Sequence, residues 1–291
     1  MMPPAIPSSW FRRPPKTVYI AVAWLALTAM APVGVAEFRA DAAHAYDEYI
    51  GTIRRSFAAR IRTGGSLLDL TAAESSPLLR DGRVMVVPAQ RDGIVGVSGG
   101  LIHHWKGAAF IPHVTLQRAV SVSQDYANYK HIYKPVVLSA SLLEQHGDTF
   151  RVLMRIQNRN GPVSAVLDIW SVVEYQRKGD NLVYSSAASE RISEIENAGT
   201  PDERLLSENQ GRGYLWRADT FSRLVEQDGG VLAELESVGL SRTFPPLLGW
   251  IIAPIARRIG KSSVEESLLE FRAAVVEAGY DARLSHAADS H

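Results

Sequence analysis

The chain has 291 residues, 46% of them hydrophobic and 21% charged, which is typical of a globular protein rather than a disordered one. Lysine and arginine number 31, as do aspartate and glutamate, so the chain lacks the basic excess that favours nucleic acid as the main partner. The sequence contains no cysteine, which excludes disulfides, a thiol nucleophile and thiolate-bound metal clusters.

The N-terminal segment has the pattern of an export signal. Three basic residues between positions 12 and 16 precede an uncharged run, Thr17–Ala36, that ends in small residues. This order is typical of a secretory signal peptide. We therefore expect residues 1–36 to be cleaved after Ala36 and the mature protein to be secreted or periplasmic. The alternative is an uncleaved membrane anchor, because residues 17–36 are long enough to span a bilayer.

Residues 37–81 are predicted to form a helical extension. Apolar and aromatic residues, Tyr49 and Phe57 among them, recur at steps of three and four, which predicts a helix over Glu37–Arg62. We expect its apolar stripe to dock on the main domain. A membrane-surface helix is the alternative, which the acidic residues Asp47 and Glu48 disfavour.

From Arg83 onward the apolar pattern changes to a period of two, which indicates strands. Short polar and glycine-containing turns separate several of them, so the strands should form an antiparallel sheet. The predicted strands are Val84–Gln90, Gly93–Val97, Leu101–Ile111, Val136–Glu144, Thr149–Asn158, Ala165–Arg177, Asn181–Ser189, Tyr214–Gln227 and Val231–Leu240.

Two further helical segments are predicted, His113–Tyr133 and a C-terminal stretch from Pro245 to about Ala278. The C-terminal stretch is expected to divide at Gly260, because serines and glutamates that follow it form capping boxes. An apolar stripe in its second half should lie across the sheet and cover one face. Residues 281–291 are expected to form a flexible tail.

The order of these elements resembles the START-like, or SRPBCC, helix-grip superfamily. This superfamily includes lipid-transfer START domains, polyketide cyclases and birch-pollen-allergen-like proteins, and the resemblance is to an uncharacterised, secreted bacterial branch. Gly99–Ile156 resembles its opening strand, helix and first hairpin, and Pro245–Val275 resembles its closing helix. The resemblance implies an α+β fold over residues 82–280, with a curved antiparallel sheet wrapped around the C-terminal helix and a cavity between them. The N-terminal helix is additional to that fold.

Strand alternation assigns side chains to the two faces of the sheet. If the charged face is in solvent, the inward face of the last two strands is rich in small residues, which leaves room for a ligand. If bulky helix side chains fill that room, the chain is a structural module. The residues predicted to line the pocket are Met154, Tyr175, Trp216, Ala218, Thr220, Ser222, Ala233, Ser237, Gly239, Trp250 and Phe271.

No catalytic residue, metal ligand or cofactor is predicted. His103 and His104 are neighbours in a strand and so point to opposite faces, which disfavours a shared metal ion. No serine lies in a G-x-S-x-G motif. Asp168 and Glu174 are too far apart along one strand to act as a pair of glycosidase carboxylates.

The predicted function is extracytoplasmic binding of a small hydrophobic or amphipathic, lipid-like ligand between the sheet and the C-terminal helix. Two alternatives remain open at this point. One is a cyclase-type enzyme of the same fold, which would need polar groups converging in the cavity. The other is a non-binding structural module of the cell envelope.

Overall fold

The computed structural model describes residues 38, 40–68, 82–158, 165–243 and 249–288. For residues 158, 249–253, 255 and 279–288 it describes the backbone alone. The helices and strands lie within these ranges. All of them belong to one unit, Val35–His291. The helices are α1 (Ala40–Thr63), α2 (Leu116–Gln124), α3 (Tyr129–Ile132) and α4 (Gly249–Ala288), with a 3-10 turn at Tyr126–Asn128. The strands are β1 (Met85–Pro88), β2 (Ile94–Val97), β3 (Gly100–Pro112), β4 (Val137–His146), β5 (Thr149–Asn158), β6 (Ala165–Arg177), β7 (Leu182–Glu196), β8 (Arg204–Leu205), β9 (Arg217–Gln227) and β10 (Gly230–Arg242).

The strands form one antiparallel sheet in the order β1-β3-β10-β9-β7-β6-β5-β4, with β2 paired to β3 and β8 to β7. Together with the C-terminal helix and the additional N-terminal helix, this confirms the predicted α+β helix-grip fold. β5 and β6 have the predicted bounds. β7 continues beyond Ser189 to Glu196 because a register shift opposite Trp170 and Ser171 interrupts the alternation but not the pairing.

Helix α1 packs on one face of the sheet, which we call the outer face. Its buried residues Tyr46, Ile50 and Phe57 share a hydrophobic cluster with outer-face residues such as Phe221 and Val238. The predicted docking of the helix on the main domain is therefore confirmed. The sheet is covered on both faces, since α4 packs on the opposite one, which we call the inner face.

Helix α4 is continuous, so the predicted division at Gly260 is wrong. A Cβ on Gly260 would lie 2.5 Å from the indole nitrogen of Trp105 on β3, so the glycine permits close packing and does not end the helix. Ser262, expected to be a cap, lies inside the helix, and its hydroxyl donates to the Ile259 carbonyl. The helix also continues through the region predicted as a tail, to Ala288.

None of the helices in the described part of the chain is both long and apolar enough to cross a bilayer. The predicted signal or anchor segment, residues 1–36, lies outside the described residues.

Candidate functional site on the inner face

One half of the inner face is a filled core. Leu268, Phe271 and Val275 of α4 pack there with side chains from α2 and from six strands, among them Phe150 and Leu224. The packing is close: a Cβ on Gly107 of β3 would lie 2.8 Å from side-chain atoms of both Val264 and Leu268. Phe271 keeps only 8% of its surface exposed. The stripe of α4 therefore lies on the sheet as predicted.

Three tyrosines, Tyr126 and Tyr129 after α2 and Tyr175 on β6, belong to this filled core or pack against it. Tyr126 is buried, with its ring 5.7 Å from that of Phe150. The Tyr175 hydroxyl donates to the Ser123 carbonyl (2.9 Å), and the Tyr129 hydroxyl donates to the same carbonyl (2.5 Å). Burial raises the pKa of each of these three tyrosines. Because their hydroxyls are already hydrogen-bonded and their rings contact one another, these residues form a packed core rather than an aromatic cage.

Another part of the inner face is only partly buried. Ten side chains or glycines on four neighbouring strands point inward there, and each is half-buried rather than buried. None of them is charged. We call this set the inner wall; it consists of His103, Ser185, Ala187, Ser189, Ala218, Thr220, Ser222, Leu235, Ser237 and Gly239.

The register of the strands brings the small residues together. Ser237 lies opposite Thr220, and Gly239 lies opposite Ala218 across the β9–β10 hairpin. On the other side of β9, Thr220 lies opposite Ala187. Because cross-strand neighbours share one patch of a sheet, the missing side-chain volume adds up in one place. The small residues on three strands therefore lie together in one patch of the wall, which we call the depression. Leu215 bounds it at its Ala218 and Gly239 end, since a Cβ on Gly239 would lie 3.1 Å from the Leu215 side chain.

Polar groups line the depression without carrying charge. The hydroxyls of Ser185 and Ser222 are hydrogen-bonded to each other at 2.6 Å. Ser189 Oγ accepts a hydrogen bond from the Ala218 amide (2.9 Å). His103 Nε2 is hydrogen-bonded to Ser241 Oγ at 2.8 Å, and burial lowers its pKa to about 4. His103 is therefore a neutral hydrogen-bonding group at neutral pH.

The outer face carries the charges of the same strands, and these are buried. The condition that the charged face is in solvent is not met for these strands, because α1 covers that face. Asp219, Glu234 and Glu236 are each 4% exposed, and Arg223 is 9% exposed. The pairing of these groups explains how the face tolerates burial.

Each of these acids has partners from the N-terminal extension or from a neighbouring strand. Asp219 accepts hydrogen bonds from the Tyr46 hydroxyl (2.8 Å) and from Arg54 (2.6 Å). Glu234 accepts from the hydroxyl of Ser66 (2.6 Å), the amide of Leu67 (3.0 Å) and Arg223 (3.3 Å).

Glu236 belongs to a chain of hydrogen bonds that reaches α1. Its carboxylate lies 2.8 Å from His104 Nε2, and His104 Nδ1 lies 2.7 Å from the Tyr49 hydroxyl. Burial and the charge of Glu236 raise the pKa of Tyr49 to about 12. We call these paired groups of the outer face the outer network. They hold α1 on the sheet, and the sequence analysis did not identify them.

The predicted pocket residues divide among these regions. Ala218, Thr220, Ser222, Ser237 and Gly239 lie on the inner wall. Ala233, Tyr175 and Phe271 are members of the filled core, and Met154 borders it. The side chain of Trp250 lies outside the described residues.

Trp216 is a correction. It lies in the cluster under α1, with its ring 5.1 Å from that of Phe38 in an edge-to-face contact. The alternation predicted that Trp216 shares the inner face with Ala218, and this prediction is wrong. Trp216 precedes the first residue of β9, Arg217, where strict alternation no longer applies.

Two other kinds of site can be compared with the inner wall. A cleft of about 230 Å³ lies between β1 and α4, lined by both signs of charge from Arg83, Lys261 and Glu265; it is not the predicted pocket. Within the described residues, no three histidine or carboxylate side chains converge as metal ligands. Five of the predicted pocket residues lie together on the inner wall, which is therefore the candidate site.

Comparisons with known proteins give likeness in fold only. No protein-family model matches the chain, and no curated protein matches it in sequence. A STAR-related lipid transfer protein from Xanthomonas axonopodis is 14% identical, with 66% of this chain and 98% of that chain covered and a TM-score of 0.44. The Zhui aromatase/cyclase from a Streptomyces strain is 13% identical (61% and 93% covered, TM-score 0.40). A START superfamily protein from Mycobacterium smegmatis is 9% identical (62% and 99% covered, TM-score 0.39). What those proteins bind or catalyse does not follow for this chain.

Proposed function

We propose that the protein binds a small hydrophobic or amphipathic ligand between the inner wall and α4. The observation that supports this function is the exposure of the wall. Thr220, Ser222 and Ser237 are half-buried on the face on which α4 packs, whereas Asp219, Phe221 and Glu236 on the opposite face are buried. An uncharged, half-buried surface on the face on which α4 packs is suited to an apolar ligand.

The driving force would be the removal of apolar ligand surface from water. Each Å² of apolar surface buried contributes roughly 25 cal/mol. The inner wall offers small side chains that leave space, and the filled core beside it offers a rigid boundary at Leu224 and Leu268. No covalent chemistry is needed for this function.

Extraction of the purified protein with an organic solvent, followed by mass spectrometry of the organic phase, tests the proposal directly. We expect a small hydrophobic compound in stoichiometric amount. A variant matched to the site sharpens the test. Ser237→Phe should place a ring in the depression and abolish binding of a pyrene-labelled fatty alcohol, because the ring occupies the space of the ligand.

The control for this variant is Ser141→Phe, which places the same ring at an exposed position on the edge strand β4. It should leave binding unchanged. Equal binding by Ser237→Phe and the wild type would contradict the proposed site. Absence of binding by the wild type, with no extracted compound, would favour a structural module with a filled interior.

We also propose an extracytoplasmic location, which is supported by the basic residues and apolar run of residues 1–36. N-terminal sequencing of the protein from the cell envelope should give a terminus near Glu37. An intact Met1 in the membrane fraction would favour a retained anchor. An intact Met1 in the cytoplasmic fraction would contradict export.

A further inference from the structure

Charge is distributed unequally between the two faces of the central strands. Lys106, Asp219, Arg223, Glu234 and Glu236 all lie on the outer face, where each has a charged or hydrogen-bonding partner. Along β3, β9, β10 and the first half of β7, the ten residues of the inner wall include no charged side chain. A ligand on the wall therefore meets no ion-pairing partner among them.

Two carboxylates that follow the inward alternation lie beyond the wall, and each already has backbone partners. Glu194 accepts hydrogen bonds from the amides of Arg212 (2.7 Å) and Gly213 (2.8 Å). Glu226 accepts one from the amide of Leu116 (2.7 Å) at the start of α2. Both are acids, so neither could pair with an anionic ligand.

The segment that leads into α4 adds no charge either. Phe244–Ala253 consists of ten residues without a lysine, arginine, histidine, aspartate or glutamate. In the described part of α4, the basic residues Arg257, Arg258 and Lys261 are exposed, and Arg257 is paired with Asp92.

The wall is nevertheless rich in hydrogen-bonding groups. A hydroxyl can donate one hydrogen bond and accept two, so the Ser185–Ser222 pair retains capacity for a ligand after its mutual bond. Thr220 and Ser237 place two further hydroxyl-bearing residues opposite each other at the centre of the depression. His103, neutral because burial lowers its pKa to about 4, extends this set on β3.

We propose that this site, if it binds a ligand as proposed above, selects uncharged amphipathic molecules with an alcohol or carbonyl oxygen. Fatty alcohols, monoacylglycerols and sterol-like alcohols belong to this chemical class. A carboxylate or phosphate that enters the site loses its hydration and gains no cation, which is much more costly than burying a neutral hydroxyl that finds a hydrogen-bond partner. Selection against anions therefore follows from the composition of the wall.

The test compares two probes with the same labelled hydrocarbon chain, a pyrene-labelled fatty alcohol and the corresponding fatty acid, titrated into the full chain at neutral pH. We expect the alcohol to bind about tenfold or more tightly than the acid. Equal or tighter binding of the acid would overturn the selectivity while leaving the proposed function intact. Binding of neither probe would overturn both.

A charge-introducing variant provides the second arm. Thr220→Lys places a cation on the wall and should reverse the preference, so that the acid binds more tightly than the alcohol; Ser237→Lys, on the neighbouring strand, should do the same if the first variant fails to fold. Ser141→Lys on the exposed edge strand β4 is the control and should leave the preference of the wild type unchanged. An unchanged preference in both folded wall variants would place the head group elsewhere and overturn the inference.

Discussion

On the central strands, the charged side chains of the outer face are more deeply buried than the uncharged side chains of the inner wall, which is the reverse of the usual arrangement. The outer face holds Asp219, Glu234 and Glu236, each only 4% exposed, while the uncharged Thr220 and Ser237 on the inner face remain half-buried. In a sheet with one solvated face, the charged residues occupy the wet side. Here α1 covers the charged side and every one of these acids has a partner.

The comparison shows that charge alternation identifies the faces of a strand but not which face is wet. Which face is exposed to water depends on how the helices α1 and α4 cover the sheet. On the outer face, burial is compensated by specific hydrogen bonds from α1 and the residues after it. On the inner wall, small side chains leave surface that α4 does not fill. The outer face therefore serves stability, and the inner wall is where we propose that a ligand binds.

The largest expected effect comes from breaking the outer network at Glu234. Glu234→Ala removes the acceptor of Ser66, Leu67 and Arg223, and leaves the Arg223 guanidinium buried at 9% exposure without its carboxylate. The free energy of unfolding should fall by about 3–5 kcal/mol, measured by urea denaturation. The control Glu190→Ala removes a surface ion pair and should cost less than about 1 kcal/mol. Similar losses in the two variants would mean that the outer face is open to water.

The filled half of the inner face should respond to a cavity. Phe271→Ala should lower the free energy of unfolding by about 3 kcal/mol, because a buried ring on α4 is removed from close-packed surroundings. Leu269→Ala on the same helix, where the side chain is 38% exposed, is the matched control and should cost well under about 1 kcal/mol. A small loss for Phe271→Ala would show that α4 is peripheral to the fold.

Much of the fold could be predicted from local patterns. The strands have strong alternation and explicit turns, so β5 and β6 were predicted with their observed bounds. The stripe of α4 predicted its contact with the sheet. β8 was missed because a strand of two residues, Arg204–Leu205, is too short to show a period.

The outer network was harder to predict because it depends on partners distant in sequence. Tyr46 and Asp219 are 173 residues apart, and nothing local indicates that they meet. A signal was nevertheless present: Tyr49 lies on the predicted docking stripe of α1, and a tyrosine that docks brings a hydroxyl that needs a partner. Recognising this would have indicated polar groups on the covered face.

Glycine at Gly260 illustrates the same limit on the inner face. In sequence it resembles a helix end, whereas in the structure it allows α4 to approach Trp105. The residue that requires the glycine is on another element, more than half the chain away. Trp216 similarly needed knowledge of where β9 begins, since alternation assigns faces only within a strand.

The two long helices provide a paired test of the inference that Gly260 is needed for close packing on Trp105. Gly260→Ala should lower the free energy of unfolding by about 1–3 kcal/mol, because the new methyl group overpacks against Trp105. Gly51→Ala in α1 should raise it by about 0.5–1 kcal/mol, because alanine favours a helix and the new Cβ would lie 3.6 Å from the flexible end of Arg55. Thermal denaturation measures both. A stabilised Gly260→Ala would mean that α4 lies further from β3.

The last expected effect concerns the pH dependence that His103 gives to the inner wall. Burial lowers its pKa from the ordinary 6.5 to about 4 in the folded protein. Between these two values the unfolded chain binds the proton and the folded protein does not, so the stability falls as the pH decreases through this window. His103→Gln keeps a side chain able to hydrogen-bond with Ser241 but removes the titration. The variant should therefore lose less stability than the wild type when urea denaturation at about pH 4 is compared with that at about pH 6.5.

The comparison between variant and wild type isolates His103 from the carboxylates that titrate in the same range, because these are common to both proteins. His44→Gln, at an exposed position on α1, controls for replacing a histidine as such. If His103→Gln and the wild type lose the same amount of stability, His103 is protonated without cost in the folded state. The inner wall would then carry a positive charge in weakly acidic solution, and an anionic ligand would gain affinity there as the pH falls towards 6.5, which links this measurement to the selectivity of the site for neutral molecules.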